Sequence, residues 1–173
     1  MEQKVTTPAI KGLILALALI VIGLATHFSG LDKTSGMGAL QFVILAAGVT
    51  WACISYAKQL NGNVTFGNTF AHGFKTTAAA TAIIGLYTFI SLKFIMPEMI
   101  DIGLEEARKG MIEKNMPADQ MEQGLAMARK FAVPFAVAGS VLMFLIMGCI
   151  FSLLGAAVAK KNPNYNPLED NNN

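Results

Sequence analysis

Residues 131–159 read FAVPFAVAGSVLMFLIMGCIFSLLGAAVA, an unbroken run without a charged side chain that ends before Lys160 and Lys161. At about 1.5 Å of rise per residue, a helix of this length exceeds the roughly 30 Å thickness of the hydrocarbon core of a bilayer. Inside that core, only helices and closed barrels satisfy every backbone amide and carbonyl group. The run lacks the alternation of polar and apolar residues that marks a barrel strand. It therefore predicts a transmembrane helix.

Upstream of this run, the chain contains three more runs without a charged side chain. Each is bounded by lysine on at least one side, and they comprise residues 12–28, 38–57 and 76–92. A cleavable signal peptide is the alternative for the first run, because Gly23-Leu24-Ala25 resembles a cleavage site, but the apolar stretch continues past Ala25. We therefore predict an all-α membrane protein with four transmembrane helices, at about residues 9–28, 38–57, 66–95 and 131–159.

The overall composition agrees with a membrane protein. Hydrophobic residues make up 54% of the chain and charged residues 14%, and the mean hydropathy is +0.52; soluble domains carry about 25% charged residues. The net charge of +2 comes from mixed signs without a basic stripe, which excludes a nucleic-acid partner. We predict a single membrane domain over residues 1–161. The tail, 162–173, has almost no apolar content and is predicted to be disordered.

The segment before the third run carries an aromatic stripe. Phe66, Phe70 and Phe74 recur at a spacing of four, which puts the three rings on one face of a helix. Such a stripe could lie at the level of the lipid headgroups, or it could form the first two turns of an unusually long third helix. Because no proline interrupts the segment, we favour one continuous helix, with the stripe as a partner-binding or interfacial surface.

The connection between the third and fourth helices is the most charged part of the chain. Residues 96–130 hold seven of the eleven acidic residues. Two amphipathic stretches, separated by Asn115-Met116-Pro117, predict a helical hairpin outside the bilayer. The hairpin is either a solvated cap or a surface for a protein partner. Its apolar positions are Ile100, Leu104, Ala107 and Met111 in the first stretch, and Met121, Leu125, Ala128 and Ala132 in the second.

The distribution of lysine and arginine gives a weak signal for orientation, because both sides of the predicted membrane domain carry nearly equal numbers. The first helix has two lysines before it and one after it, and the connection between the second and third helices has two lysines and no acid. The positive-inside rule then places both termini in the cytoplasm and the charged hairpin outside.

The sequence offers no catalytic, cofactor or metal site. Charged residues at membrane depth, which mark ion pathways, are absent from the predicted spans, since Lys93 and His27 lie at span ends where they reach the interface. The two histidines, His27 and His72, are predicted on opposite sides of the membrane, which argues against a shared metal site. Cys53 and Cys149 are predicted at different depths and serve as packing residues. An unexpected cluster of His72, Lys75 and Lys58 would be the remaining basis for an enzyme.

Small residues recur at intervals of three or four in two of the predicted spans. Such spacing lets helix backbones approach closely in a membrane. This pattern predicts helix-packing faces at Ala78, Ala82 and Gly85 on the third helix, and at Gly148, Ser152 and Ala156 on the fourth.

Three motifs in this order resemble one protein family. They are Phe66-Gly67-Asn68-Thr69-Phe70-Ala71-His72-Gly73-Phe74, Pro117-Ala118-Asp119-Gln120, and the stretch from Ser152-Leu153-Leu154 to Lys160-Lys161. Over nearly the whole chain they resemble the small bacterial membrane proteins of domain of unknown function 4199. Met116 departs from the pattern, where a capping residue is expected. The resemblance implies a four-helix inner-membrane protein of Gram-negative bacteria, without assigned activity, of a kind that often accompanies polyprenyl-phosphate glycosyltransferases.

Two functions remain open at the level of sequence. The first is a non-enzymatic subunit or scaffold of an envelope or lipid-linked glycan assembly, which binds a protein partner through the hairpin and the Phe66, Phe70, Phe74 stripe. The alternative is a small transporter or lipid flippase that works as a homodimer, because four helices enclose little room. Thr81, Thr88, Ser91 and Ser140 would line its polar path.

Overall fold

The computed structural model describes residues 5–30 and 37–166, and this part of the chain is helical without strands. The helices are α1 (Pro8–Phe28), α2 (Met37–Gln59), α3 (Phe66–Ile90), α4 (Glu98–Glu113) and α5 (Ala118–Val158). After Ile90, α3 continues as a π-helical turn, Ser91–Ile95. Residues 167–173 of the tail that is predicted to be disordered lie outside the described residues.

Four of these helices are long and apolar enough to cross a membrane, as the sequence predicts. The candidate spans are Pro8–Phe28, Ala39–Gln59, Phe66–Ile95 and Ala118–Val158. In the most apolar 18-residue stretch of each span, less than a third of the residues are buried within the protein. These features confirm an all-helical fold and indicate a multi-pass membrane protein.

Local signals in the sequence explain where several helices begin and end. Thr7 caps α1, because its hydroxyl oxygen accepts from the amide of Ile10 and Pro8 occupies the first turn. After α2, Asn61 and Gly62 adopt the left-handed conformation, and the Gly62 amide donates to the carbonyl of Ala57 at 2.8 Å. Asn115 adopts the same conformation after α4.

The described chain divides into two compact units. The first, here called the bundle unit, holds the residues up to Ile84 and those from Met143 onward. Its core takes side chains from four helices: Leu15, Ala16 and Leu19 of α1, Leu45 and Val49 of α2, Ala80 and Ile84 of α3, and Phe144 of α5. Within each helix these positions lie three or four residues apart, or side by side, so each helix buries one face.

The second unit, Gly85–Leu142, is here called the hairpin unit. In it, α4 runs antiparallel to the first turns of α5, since Asp101 pairs with Arg129 at 2.8 Å and Met111 lies beside Gly124. Leu104 and Leu125 line the groove between the two helices. The helix α5 continues without a break through Pro134 into the bundle unit.

Candidate functional site

A lysine lies inside the bundle unit. Lys11, on the first turn of α1, is 1% exposed, and its Nζ donates to the backbone carbonyl of Ala52 on α2 at 3.2 Å. The same Nζ lies 5.9 Å from the centre of the Trp51 ring. No acidic residue belongs to the described part of the bundle unit, so no carboxylate there neutralises this ammonium group. Burial of a charged group without a carboxylate partner costs free energy and calls for an explanation.

A histidine is buried in the same unit. His72 of α3 is 5% exposed, and its ring stacks on that of Tyr56 with 4.2 Å between the centroids. Its Nε2 is buried and has no hydrogen-bond partner among the described residues. A buried polar atom without a partner is unusual in native proteins and calls for an explanation.

Small and hydroxylic residues are buried in the same unit as these two side chains. Thr76, Thr77 and Ser152 are fully buried, and each hydroxyl donates to a carbonyl one turn earlier in its own helix, which leaves them satisfied. The Cys53 thiol lies 3.7 Å from the carbonyl oxygen of Thr69. A Cβ atom on Gly73 would lie 2.5 Å from the Cys53 sulfur, so this close packing requires glycine.

The sequence analysis does not predict that the side chains of Lys11 and His72 are buried within the protein. Both residues lie within candidate spans, at Pro8–Phe28 and Phe66–Ile95, and both side chains turn into the bundle. The spacing of residues along α1 and α3 could have indicated that both side chains are buried. Lys11 precedes Leu15 and Leu19 at intervals of four on the buried face of α1, and His72, Thr76, Ala80 and Ile84 repeat this interval on α3.

Charge is divided between the two units. All seven acidic residues in the described part of the chain belong to the hairpin unit. The bundle unit holds five lysines there: Lys11, Lys58, Lys75, Lys160 and Lys161. The hairpin unit also holds six basic residues, so its charges are mixed. The described part of the bundle unit is basic without acidic residues, and such a surface attracts anions.

The apolar positions predicted for the hairpin lie mainly between its two helices. Leu104 and Leu125 share one groove, and the side chains of this set are half-buried: Ile100, Leu104, Met111, Met121 and Leu125. The opposite side of α4, here called the outer face, presents Met99, Ile102, Glu106, Lys109 and Glu113. Met99 and Ile102 are 37% and 45% exposed, and no residue of α4 is buried.

The aromatic stripe lies on the first turns of α3. Phe70 and Phe74 are half-buried and their rings stack with centroids 6.0 Å apart, whereas Phe66 is 45% exposed. The ammonium nitrogen of Lys161 lies 5.6 Å from the centre of the Phe66 ring. The stripe therefore presents Phe66 to the surroundings and packs its other two rings.

The predicted small-residue positions differ in what they contact. On α5, Gly148, Ser152 and Ala156 are buried, and a Cβ atom on Gly148 would overlap the side chain of Thr77 on α3. On α3, Gly85 is buried and its missing Cβ atom would lie 2.9 Å from Val141 of α5. Ala78 is half-buried and Ala82 is exposed. Close helix packing therefore relies on Gly148 and Gly85 more than on Ala82.

No group of three His, Cys, Asp or Glu side chains converges within residues 5–30 and 37–166 to hold a metal ion. The sequence analysis considered an enzyme site made of His72, Lys75 and Lys58. In the structure His72 is buried, whereas both lysines are exposed. The polar interior of the described bundle unit therefore contains the ammonium donor of Lys11. It also contains two buried atoms without a hydrogen-bond partner among the described residues, His72 Nε2 and Thr81 Oγ1.

Comparison with known proteins identifies one relationship. The model of a family described as a protein of unknown function, DUF4199, matches residues 11–161. This match covers nearly the whole chain and confirms the resemblance noted in the sequence. No curated protein and no solved structure matches the chain.

Proposed function

The chain belongs to the DUF4199 family, whose function is unknown, and from that premise we propose that it is a non-enzymatic subunit of a membrane assembly. In this proposal, the hairpin unit binds a basic segment of a protein partner, and the assembly serves the bacterial envelope or lipid-linked glycans. The protein lies in the inner membrane with both termini in the cytoplasm.

The outer face of α4 carries this proposal. Met99, Ile102, Glu106 and Glu113 lie within one side of the helix, because they are spaced by three, four and seven residues. The face also holds Lys109 between the two glutamates, so its net charge is −1. Two exposed apolar side chains next to this net negative charge suit a partner helix that presents an apolar side chain beside a lysine or arginine. A helix face that contacts only water needs no exposed apolar side chains, so Met99 and Ile102 indicate a face that binds a partner.

The dimensions of α5 support a location of the hairpin outside the bilayer. The helix has 41 residues, which corresponds to a length of about 60 Å, roughly twice the hydrocarbon thickness. Its first thirteen residues contain Asp119, Glu122, Arg129 and Lys130, whereas the residues from Phe131 to Val158 carry no charge. We therefore propose that residues 131–158 cross the bilayer and that residues 97–130 remain outside it.

Affinity purification tests the proposed subunit. The tagged full-length chain would be purified in mild detergent from its native host and the bound proteins identified by mass spectrometry. A variant with Ile102→Ala, Glu106→Gln and Glu113→Gln should lose a stoichiometric partner. The control variant Asp119→Asn with Glu122→Gln removes two carboxylates elsewhere in the hairpin unit and should retain it. Equal recovery from the wild type and the outer-face variant would contradict the proposal.

A homodimeric transporter or lipid flippase is the second candidate, and Lys11 with His72 favours it. Two polar groups inside one bundle could form part of a path for a charged substrate. Transport of a fluorescent phospholipid in proteoliposomes tests this candidate. If the protein is a subunit alone, the wild type should transport no lipid, and Lys11→Met with His72→Phe should leave partner association intact. Loss of transport with intact association would instead establish the transporter.

A further inference from the structure

The bundle unit contains a groove that the proposed function does not use. It has a volume of about 550 Å³ and lies between the last turns of α2, the turn that follows α2, and the end of α5. Its apolar wall includes Ile54, Ala57 and Val158, and three lysines line it: Lys58, Lys160 and Lys161. The groove therefore combines an apolar surface with a cluster of positive charge.

The rim of the groove is held in place by hydrogen bonds between distant parts of the chain. The Gly62 carbonyl accepts from the amide of Asn162 at 2.8 Å, and the Asn162 side-chain amide donates to the Oδ1 atom of Asn63 at 3.0 Å. A Cβ atom on Gly62 would lie only 2.9 Å from the Asn162 nitrogen, so glycine permits this contact. These contacts hold the turn after α2 against the segment that follows α5.

The three lysines have different roles. Lys161 donates to the carbonyl oxygen of Ala156 at 2.6 Å, which ties its ammonium group to the end of α5. Lys58 and Lys160 are exposed. Because the described part of the bundle unit has no acidic residue, Lys58 and Lys160 have no carboxylate there to neutralise them. These two ammonium groups are suited to bind an anion.

The position of the groove along the candidate spans suggests which anion. Lys58 lies next to the end of the second span, Ala39–Gln59, and Val158 is the last residue of the fourth span. The lysines therefore lie at or just beyond the ends of two candidate spans, and the apolar wall extends from them along those spans. When helices of this length cross a bilayer, their ends lie near the level of the lipid phosphates. Val158 is 63% exposed, so an acyl chain can reach the wall.

We propose that this groove binds one anionic phospholipid. Lys58 and Lys160 hold its phosphate, and one acyl chain lies along Ile54 and Val158. The site is independent of the partner-binding face on α4, because each is built from residues of a different unit. A phospholipid fits better than free phosphate, since free phosphate would leave the apolar wall exposed to water.

Native mass spectrometry of the detergent-solubilised full-length chain tests the site. Dioleoylphosphatidylglycerol is titrated against dioleoylphosphatidylcholine, and the fraction of protein with one bound lipid is measured. The wild type should prefer the anionic lipid. Lys58→Gln with Lys160→Gln should weaken that binding by roughly tenfold or more, because each lysine near a membrane surface adds substantially to the attraction of anionic lipid. The conservative pair Lys58→Arg with Lys160→Arg should restore the binding.

Two further variants distinguish lipid binding in this groove from a general attraction between the basic protein surface and anionic lipid. Lys75→Gln removes an exposed lysine of the same unit that does not line the groove, and it should bind lipid as the wild type does. Val158→Trp fills part of the apolar wall without altering charge and should weaken lipid binding. Equal binding of both lipids, no effect of the Lys58 and Lys160 double variant, or equal loss in Lys75→Gln would overturn the proposal. Displacement of the lipid by millimolar inorganic phosphate would also overturn it, in favour of a free-anion site.

Discussion

The ammonium nitrogen of Lys11 lies 3.2 Å from the carbonyl oxygen of Ala52, and this contact joins the first turn of α1 to α2 inside the bundle unit. The lysine side chain is almost fully buried, so it does not extend to the interface as lysines near helix ends usually do. The contact therefore gives the bundle a polar interior, which the apolar composition of the first span does not predict.

Replacement of Lys11 by methionine should leave the stability of the protein unchanged or raise it. Methionine keeps most of the side-chain length, and it removes an ammonium group that is desolvated without a carboxylate in the described part of the unit. The measurement is the apparent melting temperature in detergent. Lys11→Ala, which leaves a gap, should lower stability by about 2 kcal/mol or more. If the methionine variant melts as early as the alanine variant, the ammonium group stabilises the fold.

Replacement of His72 by phenylalanine should preserve stability. Phenylalanine can keep the stacking on Tyr56, whose ring lies 4.2 Å from that of His72, and it removes the Nε2 atom that has no partner among the described residues. His72→Ala loses the stacked ring and should lower the free energy of unfolding by at least about 2 kcal/mol. Thermal melts of the two variants measure the difference in stability between them. A phenylalanine variant as unstable as the alanine variant would mean that Nε2 makes a stabilising bond.

Substitution by alanine at two glycines of α5 should have different effects on the stability of the protein. A Cβ atom on Gly148 would overlap Thr77, which is fully buried, so Gly148→Ala should lower stability by about 1–3 kcal/mol. Nothing lies within 4 Å of a Cβ atom on Gly139, so Gly139→Ala should leave stability unchanged or improve it. Unfolding of both variants in denaturant gives the comparison. Equal effects at the two positions would show that α3 and α5 do not pack closely at Gly148.

The ion pair between Asp101 and Arg129 should contribute little to the hairpin. Its side chains are 64% and 68% exposed, and exposed pairs contribute about 0–1 kcal/mol. Arg129→Ala should therefore leave amide hydrogen exchange in α4 nearly unchanged. Leu125→Ser, which removes an apolar contact from the groove between the helices, should accelerate exchange in α4. Faster exchange in the Arg129→Ala variant than in the Leu125→Ser variant would show that the ion pair stabilises the hairpin more than the apolar contact does.

Cysteine labelling should establish the orientation. In a background with Cys53→Ala and Cys149→Ala, single cysteines would be introduced as Ser29→Cys, Lys114→Cys and Asn164→Cys. An impermeant maleimide added outside intact cells should label the first two and spare the third, because the proposed orientation puts the lysine-rich end in the cytoplasm. Labelling of Asn164→Cys with protection of Ser29→Cys would reverse that orientation.

The sequence accounts for the helices but only partly for the candidate site. Long uncharged runs and the caps at Thr7, Asn61 and Gly62 are local features, so they predict the four apolar helices. The same local features present Lys11 as a charge that flanks the first apolar run, and they suggest for His72 only a cluster with Lys75 and Lys58. Their burial depends on the side chains that α2, α3 and α5 place around them, which no window of sequence contains.

The sequence by itself determined that this protein is helical and multi-pass, because backbone hydrogen bonding in a bilayer leaves few alternatives for long apolar segments. Only the tertiary structure decided which polar groups face inward and which small residues form contacts. It also decided that the end of α2 and the end of α5 enclose a lysine-lined groove. The physical reason is that burial and pairing are properties of neighbours in space, and residues such as Gly62 and Asn162 become neighbours only when the chain has folded.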